Sequence, residues 1–235
     1  MNDLTLLYYT ANTIENKYLP GHVAEHIRKN LLDTTGGIFP IVSVSQKPID
    51  FGKNICVGPI GRSLYNFWKQ VFIGAKEVKT KFVACCDDDA LYNMEHFAHR
   101  PSSDDVFSYN SNMWYAEDKI FWKKGWTKDY GMCCCICATN LLIKTLTPRF
   151  KMFPEEPMPR SMYTHRFWQE PGRFDNKFGV FDVKIETFTT ATPIIVLNYT
   201  GSMCGKRGPG RHMPKVAESI KPYGRAKELW LKLWL

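Results

Sequence analysis

The chain is predicted to be an α/β protein: a mostly parallel sheet flanked by helices, followed by an irregular, aromatic-rich half. Three observations predict this. Short apolar runs alternate with helical patterns over the first 90 residues. Each run ends abruptly on polar residues, as strands do where they leave a buried sheet. The 235 residues are 44% hydrophobic, which supplies one sizeable core. Strand–helix alternation of this kind builds parallel sheets through right-handed crossovers, and ligands then bind beyond the carboxyl ends of the strands.

The elements follow in order. Leu4 to Tyr9 is a continuous apolar run, hence a buried strand, opening into the polar loop Thr10 to Thr13. Pro20-Gly21 precedes a helix with Val23, Ala24, Ile27 and Leu31 inward and Glu25, Arg28 and Lys29 outward; Gly36-Gly37 stops it. Phe39 to Val44 is the second strand, ending in Ser45-Gln46-Lys47-Pro48, and Ile55 to Val57 is a short apolar segment. From Ser63 to Lys79, Leu64, Phe67, Trp68, Val71, Ala75 and Val78 follow the 3.6-residue period of a helix. Lys81 to Cys86 is the third strand, closed by Asp87-Asp88-Asp89.

Beyond Asp89 the pattern changes. Residues 105–126 are dense in aromatics and turns: Phe107, Tyr109, Trp114, Tyr115, Phe121, Trp122 and Trp126. Gly131 to Ala138 reads as a strand and Thr139 to Thr147 as a helix, after which five prolines up to residue 171 predict an irregular excursion. Val180 to Phe188 alternates, with Phe181, Val183 and Ile185 on one face and Asp182, Lys184 and Glu186 on the other, so it reads as a strand; Ile194 to Leu197 is another. Gly201 to Gly210 is a glycine-rich basic loop, and a short helix carrying Leu229, Trp230, Leu233 and Trp234 on one face ends the chain. No linker splits it, so residues 1–235 read as one domain: a ligand-binding half at 1–100, a second half at 101–200, and the basic loop and helix at 201–235.

Composition excludes disorder, collagen and coiled coil, since aromatics reach 14% and no short repeat occurs. No run approaches the roughly 18 to 20 apolar residues of a membrane span, and the N-terminus lacks the basic segment of a secretory signal, so the expected setting is cytoplasmic. The net charge is +8, and residues 205–235 hold eight Lys or Arg against two Glu. Charge concentrated at one end suits a polyanion, a phosphorylated ligand or an anionic membrane surface, and equally suits a solvated tail kept for solubility. Six of the eight cysteines lie in the two apolar runs ending at Cys86 and Ala138. Buried strands use free cysteine as a small hydrophobe, and adjacent strand residues face opposite ways, which disfavours a zinc site.

The aspartate triplet is the sharpest local signal. Clustered carboxylates repel, and a hard divalent cation, Mn²⁺ or Mg²⁺, offsets this by taking carboxylate and phosphate oxygens together. The other reading is a helix start at Ala90, capped by Asp89. Context favours the first. The stretch from Gly58 to Phe97 places a glycine-bearing loop, Arg62, a helix, a buried strand and Asp87-Asp88-Asp89 in sequence. In this it resembles the nucleotide-sugar half of glycosyltransferases with the GT-A (Rossmann-like) fold and a DxD motif. Residues 41–58 and the run Asp-Asp-Asp-Ala-Leu-Tyr also look like bacterial and phage members, whose motif reads Glu-Asp-Asp-x-Leu-Tyr. The resemblance covers residues 4–145 well and the rest loosely.

The resemblance implies a donor nucleotide sugar, UDP-linked, and assigns roles. Thr10, Asn12, Ser45 and Gln46 would meet the nucleoside, and Arg62 the base or diphosphate. Asp87 would bind the ribose or a metal-bound water, and Asp89 the metal. Lys206 and Arg207, with Arg211, would close over the diphosphate, and His212 would add a metal ligand; Asn198 stands where some relatives place a His. An inverting transfer needs a carboxylate base, for which Asp182 is the first candidate, Asp175 the second and Glu170 the third. A retaining transfer needs none. Two acceptors compete: hydroxymethylated pyrimidines in DNA, with the basic tail on phosphates and the aromatics stacking on bases, or a cell-surface or lipid-linked saccharide, with the C-terminal helix touching a membrane peripherally. A binding module of this fold without chemistry is the third reading. Charge favours DNA.

Overall fold

A computed structural model of the chain describes residues 3–12, 21–123, 131–155, 169–199 and 215–234. Its main sheet has seven strands. In chain order they are β1 (Leu4–Thr10), β2 (Ile41–Ser45), β3 (Lys53–Cys56), β4 (Phe82–Asp87), β6 (Val106–Asn110), β9 (Cys135–Ala138) and β10 (Lys184–Phe188). The spatial order is β10-β6-β9-β4-β1-β2-β3, and β9 runs antiparallel to both neighbours while every other adjacent pair is parallel. A mixed, mostly parallel sheet flanked by helices is therefore the architecture. All seven residues of β1 are buried, which explains why that strand is continuously apolar rather than alternating.

The helices α1 (Gly21–Thr35), α2 (Leu64–Glu77), α3 (Met94–Ala98), α4 (Thr139–Met152) and α5 (Ala226–Trp234) cover this sheet and a second one. Val23, Ala24, Ile27 and Leu31 of α1 are buried as the period predicts. In α2, Ser63 caps the first turn by accepting from the Asn66 N–H at 3.1 Å, and Trp68, Val71 and Ala75 face the core. Leu64, expected inward, is exposed; it lies in the first turn, at the edge of the cleft described below. Gly74 is what lets α2 lie close on the sheet, because a Cβ there would come within 2.3 Å of Leu7 Cδ1 and 2.8 Å of Val44 Cγ2.

The second sheet is ordered β12-β8-β7-β11-β5, with β5 (Ala90–Leu91), β7 (Met113–Glu117), β8 (Ile120–Lys123), β11 (Ile194–Leu197) and β12 (Lys215–Ala217). A small hairpin, β13 (Ser219–Ile220) with β14 (Gly224–Arg225), precedes α5. The stretch read as dense in aromatics and turns thus holds three strands, β6, β7 and β8. Its aromatic density hides the two-residue Asp118-Lys119 hairpin that joins β7 to β8. Phe107, Tyr109, Phe121 and Trp122 are core residues, which removes them as base-stacking groups; Trp114 and Tyr115 stay half-buried, and Trp126 lies outside the described residues.

Three further expectations are corrected. Helix α4 does not stop before Pro148 but continues to Met152. The proline removes a bond to the carbonyl of Lys144, on the helix's exposed side where water can replace it. The strand predicted from Val180 begins only at Lys184, because Asp182 adopts a left-handed backbone (φ 62°) that breaks the alternation and leaves Phe181 63% exposed. The apolar face of α5, which the saccharide reading sets against a membrane, packs on the protein itself: Leu233 is buried, and Leu229, Trp230 and Trp234 join a second core with Val23, Ile27, Phe121 and Leu197. No helix among the described residues is long and apolar enough to cross a membrane. Cys85, Cys86, Cys133, Cys134, Cys135 and Cys137 are buried free thiols, as expected; Cys56 is exposed, and Cys204 lies outside the described residues.

Candidate active site

Parallel registry assembles the site. Tyr9 pairs with Asp87 across β1 and β4, and Thr10 pairs with Ser45 across β1 and β2, so the polar strand ends gather on one rim. There they open onto a cleft of about 220 Å³. It is lined by Asp87, Asp88 and Asp89, by Gly61 to Leu64 with Phe67 and Trp68 of α2, and by Tyr115, Met132, Glu170 and Val196 to Tyr199.

Each acidic residue is held differently. The Tyr9 hydroxyl donates to Asp87 Oδ1, while the Asp87 N–H donates to the Tyr92 hydroxyl at 3.0 Å. The Thr10 hydroxyl donates to Asp88 Oδ2 at 2.5 Å. The Asp89 carbonyl accepts from the Leu197 N–H at 2.8 Å, which ties the triplet to the second sheet. Burial pushes the Asp87 carboxyl up to about 7; the Tyr9 hydrogen bond opposes this and the Asp88 charge adds to it. Burial also raises Asp88, against the Thr10 bond and the Arg62 charge. Asp89 is raised by burial and by both neighbouring carboxylates, with Arg62 again pulling it down. Burial raises the Tyr199 hydroxyl well above its ordinary value, with the neighbouring aspartates adding to the rise and Arg62 opposing it. The site is a cluster of three carboxylates held against their mutual repulsion, with Arg62 acting on Asp88 and Asp89 and Arg28 also acting on Asp88.

The predicted residues divide. Thr10, Arg62, Asp87 and Asp89 line the cleft. Asn12, Ser45 and Gln46 do not, and their polar atoms serve the scaffold. Asn12 Oδ1 accepts from the N–H groups of Gln46 and Lys47, both at 2.9 Å. The Gln46 amide exchanges two bonds with Gly61, at 2.8 and 3.1 Å, and the Ser45 hydroxyl accepts from Asn54 Nδ2 at 2.9 Å. Gln46 thereby braces the loop that carries Arg62, and the hydrogen bonds of Asn12 and Ser45 run to neighbouring strand ends.

The two leading candidates for a base are outside the cleft. Asp182 is exposed just before β10. Asp175 is buried and accepts from Arg149 Nη2 at 2.7 Å and from the Gly172 N–H. Glu170, the third candidate, does line the cleft and pairs with Arg173 at 3.6 Å. Its loop is anchored by Arg149 Nη1 donating to the Gln169 carbonyl at 2.9 Å and by the Tyr109 hydroxyl donating to the Pro171 carbonyl at 2.8 Å. Lys206, Arg207 and His212 lie outside the described residues. Asn198 lines the cleft with its amide donating to Glu117. Tyr9 reaches the triplet only through strand pairing with Asp87, and Tyr199 comes to the cleft from beyond the end of β11; neither placement leaves a local signature.

A divalent cation fits the donor chemistry. Among the described residues no group of three or more His, Cys, Asp or Glu is suited to hold a metal by itself. Mg²⁺-like ions need no such cage, since one or two carboxylates with substrate phosphates suffice, and Asp87 and Asp89 supply hard oxygen donors of that kind.

No protein-family model matches the chain, and no curated protein matches it. Among solved structures it is similar to a glycosyltransferase involved in the glycosylation of the major capsid of PBCV-1, with a TM-score of 0.45 and 9% identity over 83% of this chain and 92% of that one. It is also similar to TarS of S. aureus, with a TM-score of 0.44 and 13% identity over 83% of this chain and 37% of that one. A nucleotidyl transferase from Methanothermobacter thermautotroptrophicus gives a TM-score of 0.42 and 11% identity over 63% of this chain and 76% of that one. These neighbours include two kinds of transferase and do not single out a family.

Proposed function

We propose that the protein is a metal-dependent glycosyltransferase that moves a sugar from a nucleotide sugar, UDP-linked in this reading, to an acceptor hydroxyl. One observation carries the reading: an acidic triplet at the carboxyl end of a central parallel strand lines a cleft together with Arg62. Asp87 and Asp89 would hold Mn²⁺ or Mg²⁺, which when bound neutralises the diphosphate charge. Arg62 lies beside the same carboxylates and meets the diphosphate, lowering the cost of the negative charge that grows on the leaving group. Phe67, Trp68 and Tyr115 wall the cleft with apolar surface and exclude water from the transferred sugar. Among the described residues of the second half Glu170 is the carboxylate that lines the cleft, so in an inverting transfer it takes the acceptor's proton. Lys206, Arg207 and His212 complete the reading as a basic loop over the diphosphate and a further ligand.

The acceptor in this reading is a 5-hydroxymethylpyrimidine in DNA, supported by the positive charge gathered in residues 205–235. A cell-surface or lipid-linked saccharide is the competing acceptor. Its membrane contact loses the apolar face of α5, which the second core uses. The test is incubation with Mn²⁺ or Mg²⁺, a panel of nucleotide sugars and hydroxymethylated DNA, followed by digestion to nucleosides and mass spectrometry. A sugar mass on the modified base that disappears with EDTA is the expected result. Metal-dependent hydrolysis of one nucleotide sugar without transfer to DNA would move the acceptor to saccharides. No turnover and no nucleotide-sugar binding would leave a binding module of this fold.

A further inference from the structure

We propose that Tyr9 sets the cation preference of the site: by occupying Oδ1 of Asp87 it confines that carboxylate to one-oxygen ligation, favouring Mg²⁺ or Mn²⁺ over Ca²⁺. This rests on the reading of Asp87 and Asp89 as cation ligands. The geometry behind it is rigid. Tyr9 and Asp87 are register partners on adjacent parallel strands and so project to the same side of the sheet. Tyr9 is only 4% exposed, and its ring meets Phe67 edge-on, with centroids 5.1 Å apart and planes at 90°. The ring is therefore held by packing with its hydroxyl on Asp87. The Asp87 backbone is fixed separately, by the N–H bond to Tyr92. No hydrogen bond among the described residues engages the second oxygen, Oδ2, so it is the oxygen more open to a cation, while a cation at Oδ1 competes with the tyrosine proton.

That arrangement separates cations by size. Ca²⁺ takes about six to eight oxygens at roughly 2.3–2.6 Å and commonly uses both oxygens of a carboxylate. Mg²⁺ requires six ligands at about 2.0–2.1 Å in near-octahedral geometry, and Mn²⁺ suits the same octahedral oxygen shell; one oxygen per carboxylate satisfies it. Thr10 treats Asp88 in the same way by donating to its Oδ2, so two of the three carboxylates have one oxygen already hydrogen-bonded. Tyr9 is a positioning residue acting through Asp87.

The experiment titrates the full chain with MnCl₂ and, separately, CaCl₂, using isothermal calorimetry and the Mn²⁺ electron paramagnetic resonance signal. The proteins are wild type, Tyr9→Phe and, as a control, Tyr223→Phe, whose hydroxyl donates to the Pro193 carbonyl. Wild type and the control should bind Mn²⁺ more tightly than Ca²⁺. In Tyr9→Phe the ratio of the two dissociation constants should move toward Ca²⁺ by at least about tenfold, which is about 1.4 kcal/mol. Loss of fold stability alone would weaken both ions together and leave the ratio unmoved, and an unmoved ratio overturns the proposal while leaving the cation site standing. Binding of neither ion by wild type would instead overturn the cation reading itself. Should Tyr9→Phe fail to fold, the infrared difference spectrum of Mn²⁺-loaded wild type against Asp87→Asn decides: a one-oxygen carboxylate signature supports the role of Tyr9, and a two-oxygen signature ends it.

Discussion

Arg149 Nη2 lies 2.7 Å from Asp175 Oδ1, with the two side chains 0% and 2% exposed. The same guanidinium donates to the Gln169 carbonyl and faces the rings of Trp68 and Phe178, at 5.7 and 5.2 Å from their centroids. The other Asp175 oxygen accepts from the Gly172 N–H. The loop thus fastened carries Glu170 to the cleft. Gly172 matters to its path, since at φ 99° a Cβ would come within 2.4 Å of Ile185 Cγ1.

Breaking that pair by one partner strands a buried charge, so Asp175→Ala should cost about 3–5 kcal/mol in urea unfolding. The double variant Arg149→Met, Asp175→Leu should recover much of the stability. It should not recover turnover, because the Gln169 anchor is lost with the guanidinium. Full activity in the double variant would show that the loop needs no such fastening.

Glu170→Gln is expected to lower turnover by about 10²–10⁴-fold with nucleotide-sugar binding unchanged, the signature of a lost general base. Asp182→Asn should stay within about twofold of wild type; Asn tolerates the left-handed backbone there, and the site is exposed. Steady-state kinetics with calorimetric donor binding separates the two. The opposite pattern would return the base to Asp182.

His96 gives the fold an acid limit. It is fully buried, neither ring nitrogen has a hydrogen-bond partner among the described residues, and burial pushes its pKa down to about 3. In the unfolded chain it protonates near 6.5. The unfolded state therefore binds the extra proton between these values, and stability falls as pH drops from about 6.5 toward 3, by roughly 4–5 kcal/mol in all. His96→Phe, which keeps the contacts with Phe97 and Phe188, should flatten that part of the pH–stability curve. An unchanged slope would place the acid sensitivity elsewhere.

The aspartate triplet works in the other direction. Its carboxylates have raised values in the folded state, so they destabilise the fold above their folded pKa, and that penalty fades as pH falls toward the unfolded value near 3.9. Asp89→Asn should therefore raise the melting temperature at pH 8 while abolishing transfer. Mn²⁺ should raise the melting temperature of wild type and have little effect on Asp89→Asn. A variant less stable than wild type at pH 8 would mean that the charge cluster is relieved without a cation.

Legibility differed by element for physical reasons. The 3.6-residue period in α1 and most of α2, the continuous apolar run of β1 and the abrupt turn to acid after Cys86 are local consequences of burial, and they could be read directly. Arg62 and the triplet were legible because both lie within one run of about forty residues whose order is visible. At Asn12, Ser45 and Gln46 the sequence shows only polar groups at strand ends, which look alike whether they bind a ligand or a neighbouring loop. Asp182 lay within an alternating pattern that its own backbone interrupts, and a left-handed residue leaves no mark on such a pattern.

By itself, then, the sequence determined the parallel α/β half, the acidic triplet with its arginine, and the buried thiols, since each depends on side-chain chemistry over a few turns of chain. The tertiary structure alone decided that Tyr9 meets Asp87, that Glu170 rather than Asp175 or Asp182 reaches the cleft, and that the apolar face of α5 closes a second core. Those outcomes depend on strand registry and on contacts between residues 20 to more than 200 positions apart, such as Val23 and Leu233 in one cluster. The energy of such contacts comes from the partner as much as from the residue, so neither segment carries the information alone.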